Sequence, residues 1–427
     1  MGPQWASHHN QHEKRPSAPT QTVRFVSIAA FEGEFRALWS DGRGKILLAI
    51  AAGWGLTVGV RTIYPVMLPH LRESYGLDLT SAGVLLSVLF VAYALGQLPG
   101  GVLADRLGER RTLTLSLVLS AGALVVVSVA NSSAVLYVAT AVFGFGVGFY
   151  AIARYTAIVT VYPERYGTAV GITNAAPELG QAALPPIAGS IAVLVGWRYG
   201  FGLAIPLFVL VAVALWIVLP SQSRTERRAA GTGSLEGARH VLSAVRTPRV
   251  VLATLVLIVG ITVWQAFTGF YPTYLIEEKG VSPPVASALF GLYFASTAFV
   301  HPISGAVYDR LTVRHTFLVV AVSVFALLAL PFVDRLWLLV VVSILLGTFL
   351  GFETSTESYL VDALPADIEG TGFGVLRTVV FAIGATSPIF FGAVADWGYF
   401  DELFLVLAAL TFVMIVIATR LPVVQGT

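Results

Sequence analysis

GVLADRLGERR, residues 101–111, returns as GAVYDRLTVRH at residues 305–315. Asp105 and Asp309, Arg106 and Arg310, Leu107 and Leu311, and Arg110 and Arg314 each stand 204 residues apart, so the chain is a duplicated unit. Both copies follow an apolar run. A long repeat anchored in this way is the pattern of a membrane carrier assembled from two related halves, with its site where the halves meet.

Composition agrees. Of 427 residues, 56% are hydrophobic and only 12% are charged, whereas a soluble domain is about a quarter charged. Apolar stretches of ~20 residues, each long enough to cross a ~30 Å hydrocarbon core as a helix, recur along the whole chain. They predict spans near 46–70, 80–103, 112–130, 134–160, 168–193, 198–219, 250–275, 284–307, 315–333, 336–361, 371–393 and 402–420. The expected fold is an all-α membrane protein whose twelve transmembrane helices form two pseudo-symmetric six-helix bundles. A tail (1–44), a first bundle (45–220), a linker (221–248), a second bundle (249–421) and a short end (422–427) complete the division.

The chain has no cysteine, so disulfides, thiol chemistry and cysteine metal sites are excluded. No G-x-x-x-x-G-K-[ST] loop is present, so any driving force comes from outside the chain. The tail lacks the pattern of a secretory leader, and the first span is expected to be retained. Within it, Phe25, Ile28, Phe31, Phe35, Leu38 and Trp39 fall near helical spacing and predict an amphipathic surface helix, unless the tail is simply unstructured. His8, His9 and His12 are too weak a set for a metal site. No nucleophile–base or metal constellation stands at the membrane faces, so neither an enzyme nor a cofactor is expected.

Basic residues orient the spans. Arg43, Lys45, Arg106, Arg110, Arg111, Arg165, Arg224, Arg310, Arg314 and others crowd the side of the termini, while the opposite side has only Arg72, Arg198, Lys279 and Arg335. By the positive-inside rule both termini are cytoplasmic, in a cell membrane. The Arg-, Ser- and Gly-rich stretch after Ser221 is then an internal linker, with a short surface helix expected after Ser234. The net charge of +2 reflects this bias and not a nucleic-acid partner.

With these motifs in place, the chain resembles the major facilitator superfamily of secondary transporters over about Lys45 to Leu421. The first copy matches that family's G-x-L-A-D-R-x-G-x-R-R loop between helices two and three. The second departs from it, with Thr312 in place of Gly108 and Val307 in place of Leu103. GTAVG at 167–171 parallels GTGFG at 370–374, and Pro185 and Gly189 parallel Pro388 and Gly392, with Gly180 and Gly384 one position out of register. The resemblance implies that spans 1, 2, 4, 5, 7, 8, 10 and 11 line a central cavity and that 3, 6, 9 and 12 face lipid. It also implies a gate in which Asp105 and Asp309 latch the halves on the inner face of the outward-open state by capping a helix start. Gly101, Arg106, Gly108, Arg110, Gly305 and Arg310 complete that gating motif, and its arginines set topology in any case.

Ionisable residues inside spans point to the site, because a charge at mid-membrane costs at least ~2.5 kcal/mol and is retained where it faces a cavity or partner. They are Arg61, Arg154, Glu178, His301, Glu353, Glu357 and Arg377. Arg61 lies about fifteen residues, ~22 Å, into span 1. Tyr64 follows by one turn and Pro65 breaks the helix, so a guanidinium is expected beside a polar ring. Adding the repeat offset lands on Gln265, next to Trp264 in span 7. An arginine at that depth suits a carboxylate or phosphate bound through two donors, or else a permanent acidic neighbour.

Tyr150 and Arg154 share one face of span 4, as Asn174 and Glu178 share one of span 5, and an Arg154–Glu178 pair is expected between them. Glu353 and Glu357 are four apart, and two carboxylates on one low-dielectric face do not both ionise cheaply, so one is a natural proton carrier. Arg377 is placed to pair with Glu357, either as a switch or as a static bridge. His301 precedes Pro302 and is read as satisfying a carbonyl at that kink. Gly144, Gly146 and Gly148 in span 4, with Gly347 and Gly351 in span 10, are read as close-packing positions.

Taken together, the binding candidates are Arg61, Tyr64, Tyr150, Arg154, Asn174, Trp264 and Gln265, and the proton-coupling candidates are Glu178, Glu353, Glu357 and Arg377. The expected function is secondary active transport of a small solute by alternating access, proton-coupled and directed at a small organic anion. A drug/proton antiporter and a non-transporting membrane sensor are the other readings. The expected partners are the solute, protons and the bilayer, with the chain acting as a monomer.

Overall fold

The computed structural model describes residues 38–39, 43–220, 246–365 and 369–422. Among them every regular element is helical, and twelve helices are long and apolar enough to cross a membrane. These are α1 (Arg43–Tyr75), α2 (Leu79–Leu107), α3 (Glu109–Val129), α4 (Ser133–Val161), α5 (Pro163–Val195), α6 (Trp197–Val218), α7 (Pro248–Glu277), α8 (Pro283–Tyr308), α9 (Val313–Phe332), α10 (Leu336–Ala363), α11 (Gly372–Asp396) and α12 (Phe400–Thr419). Each corresponds to one span expected from sequence. Most of the tail, with His8, His9 and His12, and nearly all of the linker with the helix expected after Ser234, lie outside the described residues.

Local chemistry sets the boundaries. Gly76, at φ 64°, ends α1 in the left-handed region, and its N–H bonds the Arg72 carbonyl. The Asp78 side chain accepts from the Ser81 N–H at 2.7 Å and caps α2. Gly108, at φ 86°, turns the chain from α2 into α3. Its counterpart in the second copy, Thr312, has an extended φ of −162°, which is why a threonine is tolerated there.

Helices α1–α6 form one bundle and α7–α12 the other. The Tyr162 hydroxyl, between α4 and α5, donates to the Arg43 carbonyl at 2.6 Å. Arg314, at the start of α9, donates to the Leu421 carbonyl at 2.8 Å. Both described ends therefore lie on one side, the terminal face, and the other side is the far face. In the most apolar stretch of each span, 83% of α1 and 61% of α7 residues are buried, against 33% of α6 and 39% of α9 and α12. The lowest share, 28%, belongs to α5, whose exposed face carries Asn174 and opens toward the cavity, so low burial reflects either the cavity or the periphery; α6, α9 and α12, which carry no charged residue away from their ends, are peripheral. The share for α3 is intermediate at 50%.

Glycines bring the helices together. A Cβ on Gly180 (α5) would run into the Gly55 carbonyl of α1, and those on Gly144 and Gly148 (α4) into the carbonyls of Leu89 and Tyr93 in α2. In the second bundle, Gly347 and Gly351 meet the Ser296 and Ser304 hydroxyls in the same way. The reading of Gly144, Gly148, Gly347 and Gly351 as close-packing positions is borne out, and Gly146 lies against Ser120 and Leu119 of α3.

The bundles meet along three seams. On α1–α7, Arg72 pairs with Glu277. On α2–α11, Gly83 lies against the Pro388 carbonyl and Gly392 against that of Leu79. On α5–α8, Gly189 meets Ser287, Gly291 meets Ala182, and Glu178 meets His301. These contacts run from the far face to the middle. Toward the terminal face, Asp105 and Asn174 are exposed, and the side chains of Glu353, Glu357 and Arg377 stay 23–27% exposed. The molecule is closed at the far face and open at the terminal face.

Candidate functional site

The middle of α1 is broken at Thr62. Pro65 has no N–H for the Arg61 carbonyl, and the Thr62 hydroxyl donates instead to Gly59 at 2.7 Å. The break leaves Arg61 only 5% exposed between the bundles. Its guanidinium lies 4.7 Å from the Tyr93 ring centroid, 5.7 Å from that of Phe90 and 5.9 Å from that of Trp264. Nε and Nη1 have no hydrogen-bond partner. Among the described residues no carboxylate pairs with Arg61, so the alternative of a permanent acidic neighbour is not realised.

From the second bundle, Trp264 and Gln265 are both buried. The Trp264 indole nitrogen, both amide atoms of Gln265 and the Tyr293 hydroxyl have no hydrogen-bond partner. Buried polar atoms are normally satisfied. The Trp264 nitrogen belongs to a ring beside the buried Arg61 guanidinium, and unbonded polar atoms next to a desolvated cation mark a place for a ligand rather than a finished core.

Arg154 is held differently. It donates to Asn174 at 2.9 Å and to the Tyr155 hydroxyl at 2.6 Å, and lies over the rings of Trp54 and Tyr155 at 4.2 and 4.0 Å. It is 3% exposed and, among the described residues, has no carboxylate partner. The expected Arg154–Glu178 pair is not formed, because Glu178 turns to α8, where it accepts from the Thr297 hydroxyl and meets His301 Nε2 at 3.4 Å.

Two tyrosines fall elsewhere than expected. Beyond the break at Thr62, Tyr64 points into the first bundle, fully buried against Phe201 and Phe143 at 4.8 and 5.7 Å between centroids. Tyr150 is also core: its hydroxyl donates to the Ile50 carbonyl at 2.9 Å and its ring stacks on Trp54. It supports the ring that carries Arg154 and does not face the cavity.

In α10 and α11, Arg377 pairs directly with Glu357 and reaches Glu353 at 3.4 Å. One cation thus serves two carboxylates. His301 does not satisfy a carbonyl at its kink, because Nδ1 lies 2.6 Å from the Thr354 hydroxyl on α10 and Nε2 faces Glu178. Sequence reading underweighted His301 and missed Trp54, Phe90, Tyr93 and Phe381, the last with its ring centroid 5.2 Å from the Arg377 guanidinium. The available signal was spacing: Trp54 precedes Arg61 by two helical turns, and Phe90 and Tyr93 share a face of α2.

The repeated loop is partly exposed and partly packed. Asp105 is exposed and, among the described residues, has no hydrogen bond or ion pair. Arg106 and Arg310 are exposed. Arg110 instead packs over Trp216 of α6 at 4.2 Å, inside the first bundle. Gly101 has ordinary contact with Ile152, and Gly305 has open space around it. The Asp309 side chain lies outside the described residues. Away from the centre, an apolar groove of about 650 Å³ between α3 and α4, lined by Leu115, Val118 and Val138, offers no polar group to orient a ligand.

The sequence matches the model of the Major Facilitator Superfamily over residues 47–326 and 261–425. The chain belongs to this superfamily. It is a multi-pass membrane transporter, as are its relatives. It is 28% identical over 380 residues to the probable sulfoacetate transporter of Cupriavidus necator, covering 81% of this chain and 86% of that one. It is 27% identical over 231 residues to the hexuronate transporter of Bacillus subtilis, a match spanning about half of each chain, 52% and 54%. Among solved superfamily structures, that of a D-xylose-proton symporter covers 88% of this chain and 97% of its own, with a TM-score of 0.74 at 16% identity. A bacterial homolog of the human lysosomal transporter Spinster, inward-facing and unoccupied, covers 90% and 95%, with a TM-score of 0.71 at 17% identity. At these identities the two structures bear on the fold alone.

Proposed function

We propose that this protein is a proton-coupled secondary carrier of a small organic anion, working by alternating access. The observation that carries the reading is Arg61: buried at the break of α1, with two guanidinium nitrogens unbonded and no carboxylate paired with it, beside the Trp264 ring whose indole nitrogen is also unbonded. A bound carboxylate accepts from both nitrogens at once. Gln265 and the Trp264 indole then serve further polar groups of the solute, and the Phe90 and Tyr93 rings wall it from lipid. The relatives named for a hexuronate and for sulfoacetate, both small organic anions, support this class.

In this reading the termini are cytoplasmic, the membrane is the cell membrane and the chain acts as a monomer. The open face is then the inner one. Protons enter through the Glu353–Arg377–Glu357 group, where one proton relieves two carboxylates competing for one cation, and through Glu178, which His301 ties to the other bundle. Arg154, with neutral partners only, forms a second anion-attracting step between Arg61 and the terminal face.

The test is thermal unfolding of the purified protein with galacturonate, sulfoacetate, inorganic phosphate, glucose or tetraphenylphosphonium. A ligand that binds only the folded state raises the midpoint with concentration. Carboxylates are expected to stabilise the protein, Arg61→Ala to abolish that shift, and Arg61→Lys to retain only part of it, having lost the two-pronged geometry. Stabilisation by tetraphenylphosphonium that depends on Glu178 or Glu353 would overturn the anion reading in favour of drug efflux.

A further inference from the structure

The first three N–H groups of α2 have no partner within their own helix, as at every helix start. That of Ser81 is taken by Asp78 of the same bundle at 2.7 Å. Those of Leu79 and Thr80 are taken by the other bundle: Asp396, in the last turn of α11, accepts from them at 2.8 and 2.7 Å and from the Thr80 hydroxyl at 2.5 Å. A carboxylate at a helix N-terminus also meets the positive end of the helix dipole. Just below, Gly83 lies against the Pro388 carbonyl and Gly392 against that of Leu79, so the two helix ends are pressed backbone to backbone.

We propose that Asp396 is the latch of the far face: it holds the cavity shut there by capping the start of α2 across the bundle boundary, and it has to release that cap before the far face opens. The proposal rests on alternating access but not on the nature of the solute. Two features of the molecule fit it. Helices α2 and α11 are antiparallel partners, and each carries an aspartate in its last turn, Asp396 at the far face and Asp105 at the terminal face. Asp396 is engaged where the bundles touch, and Asp105 is exposed without a partner among the described residues where they do not. Rocking of the bundles that frees one end brings the other together, so the same helix pair is held at one end at a time.

The chain contains no cysteine, so single introduced thiols report accessibility without background. Leu86 is fully buried and faces Gly269 of α7 inside the far-face closure. Gly171 is exposed, in open space, on the face of α5 that carries Asn174 and Glu178. In the full-length protein without any solute, Leu86→Cys and Gly171→Cys are labelled with a membrane-impermeant maleimide. Asp396→Ala is expected to raise the Leu86→Cys rate about fivefold, as loss of a helix cap would, and to lower the Gly171→Cys rate, while Asp396→Asn, which keeps one accepting oxygen but not the charge, is expected to act in the same direction by less. Asp396→Glu keeps the charge and is expected to preserve more of the closed state. Thr80→Val, which removes one hydrogen bond and leaves the fold's core untouched, is expected to act in the same direction by less. A Leu86→Cys rate that stays at the unmodified value in all four variants overturns the latch. So does a parallel rise at both reporters, which means general loosening. Because no solute enters the measurement, either result stands apart from the fate of the organic-anion reading.

Discussion

Arg61, Arg154 and Arg377 stand within the spans together with Glu178, Glu353 and Glu357, three side chains of each sign; among the described residues only Arg377 of these arginines is paired with carboxylates. Counted in their ordinary ionised forms, these six side chains sum to zero, which suits a medium where unbalanced charge is costly. An anion arriving at Arg61 upsets that balance by one, and a proton taken up by a glutamate restores it. Uptake of a monocarboxylate is therefore expected to be electroneutral: driven by a pH gradient and indifferent to membrane potential in proteoliposomes. A potential-dependent current with a monocarboxylate would contradict it. Among the glutamates, Glu357 is nearest the arginine that holds the pair together. Glu357→Gln is expected to reduce proton-driven uptake at least tenfold while solute exchange continues, since exchange needs no net proton movement. Normal uptake in that variant would remove Glu357 from the proton path.

The elements explain why the sequence was a good guide to spans and a poorer one to faces. Lengths and boundaries follow from apolar runs, from Gly76 and Gly108, and from Asp78, all of which are local. The break in α1 was legible from Pro65, and the approach of α7 to Arg61, made by Trp264, was signalled one residue away by the repeat offset. Which ring meets which charge was not legible. A helical wheel fixes Tyr64 and Tyr150 relative to their own axes, whereas tilt and the partner helix decide what they touch. Thus Tyr64 went to Phe201 while Phe90 and Tyr93, from another helix, came to Arg61. Likewise Glu178 shares a face with Asn174, yet its partner is set by the α5–α8 seam. The same packing makes a stability test. A Cβ on Gly180 collides with backbone that has no rotamer to give, so Gly180→Ala is expected to cost about 1–3 kcal/mol. Gly122, in α3, has open space around it, and Gly122→Ala is expected to be neutral or to stabilise by up to ~1 kcal/mol. Thermal unfolding midpoints that fall equally in both variants would show that the α1–α5 approach is not tight.

For the whole molecule, the question is how weak contacts at the far face govern a change involving two six-helix bodies. The Arg72–Glu277 pair joins the two central helices, with side chains 21% and 34% exposed. A partly exposed ion pair of this kind contributes only ~0–1 kcal/mol, too little to matter for whether the bundles fold. It matters for which face is open, because two states of similar free energy respond to 1 kcal/mol with a population change of about fivefold. Arg72→Glu places two like charges across the α1–α7 seam and is expected to raise thiol labelling of Leu86→Cys by up to about fivefold, with little change in unfolding temperature. Combining Arg72→Glu with Glu277→Arg restores the attraction in the opposite sense and is expected to return labelling toward the unmodified value. If the reversed pair labels as fast as the single variant, side-chain attraction is not what holds that seam, and closure rests on the other two seams, where Asp396 caps α2 and the backbones approach at Gly83, Gly392 and Gly291.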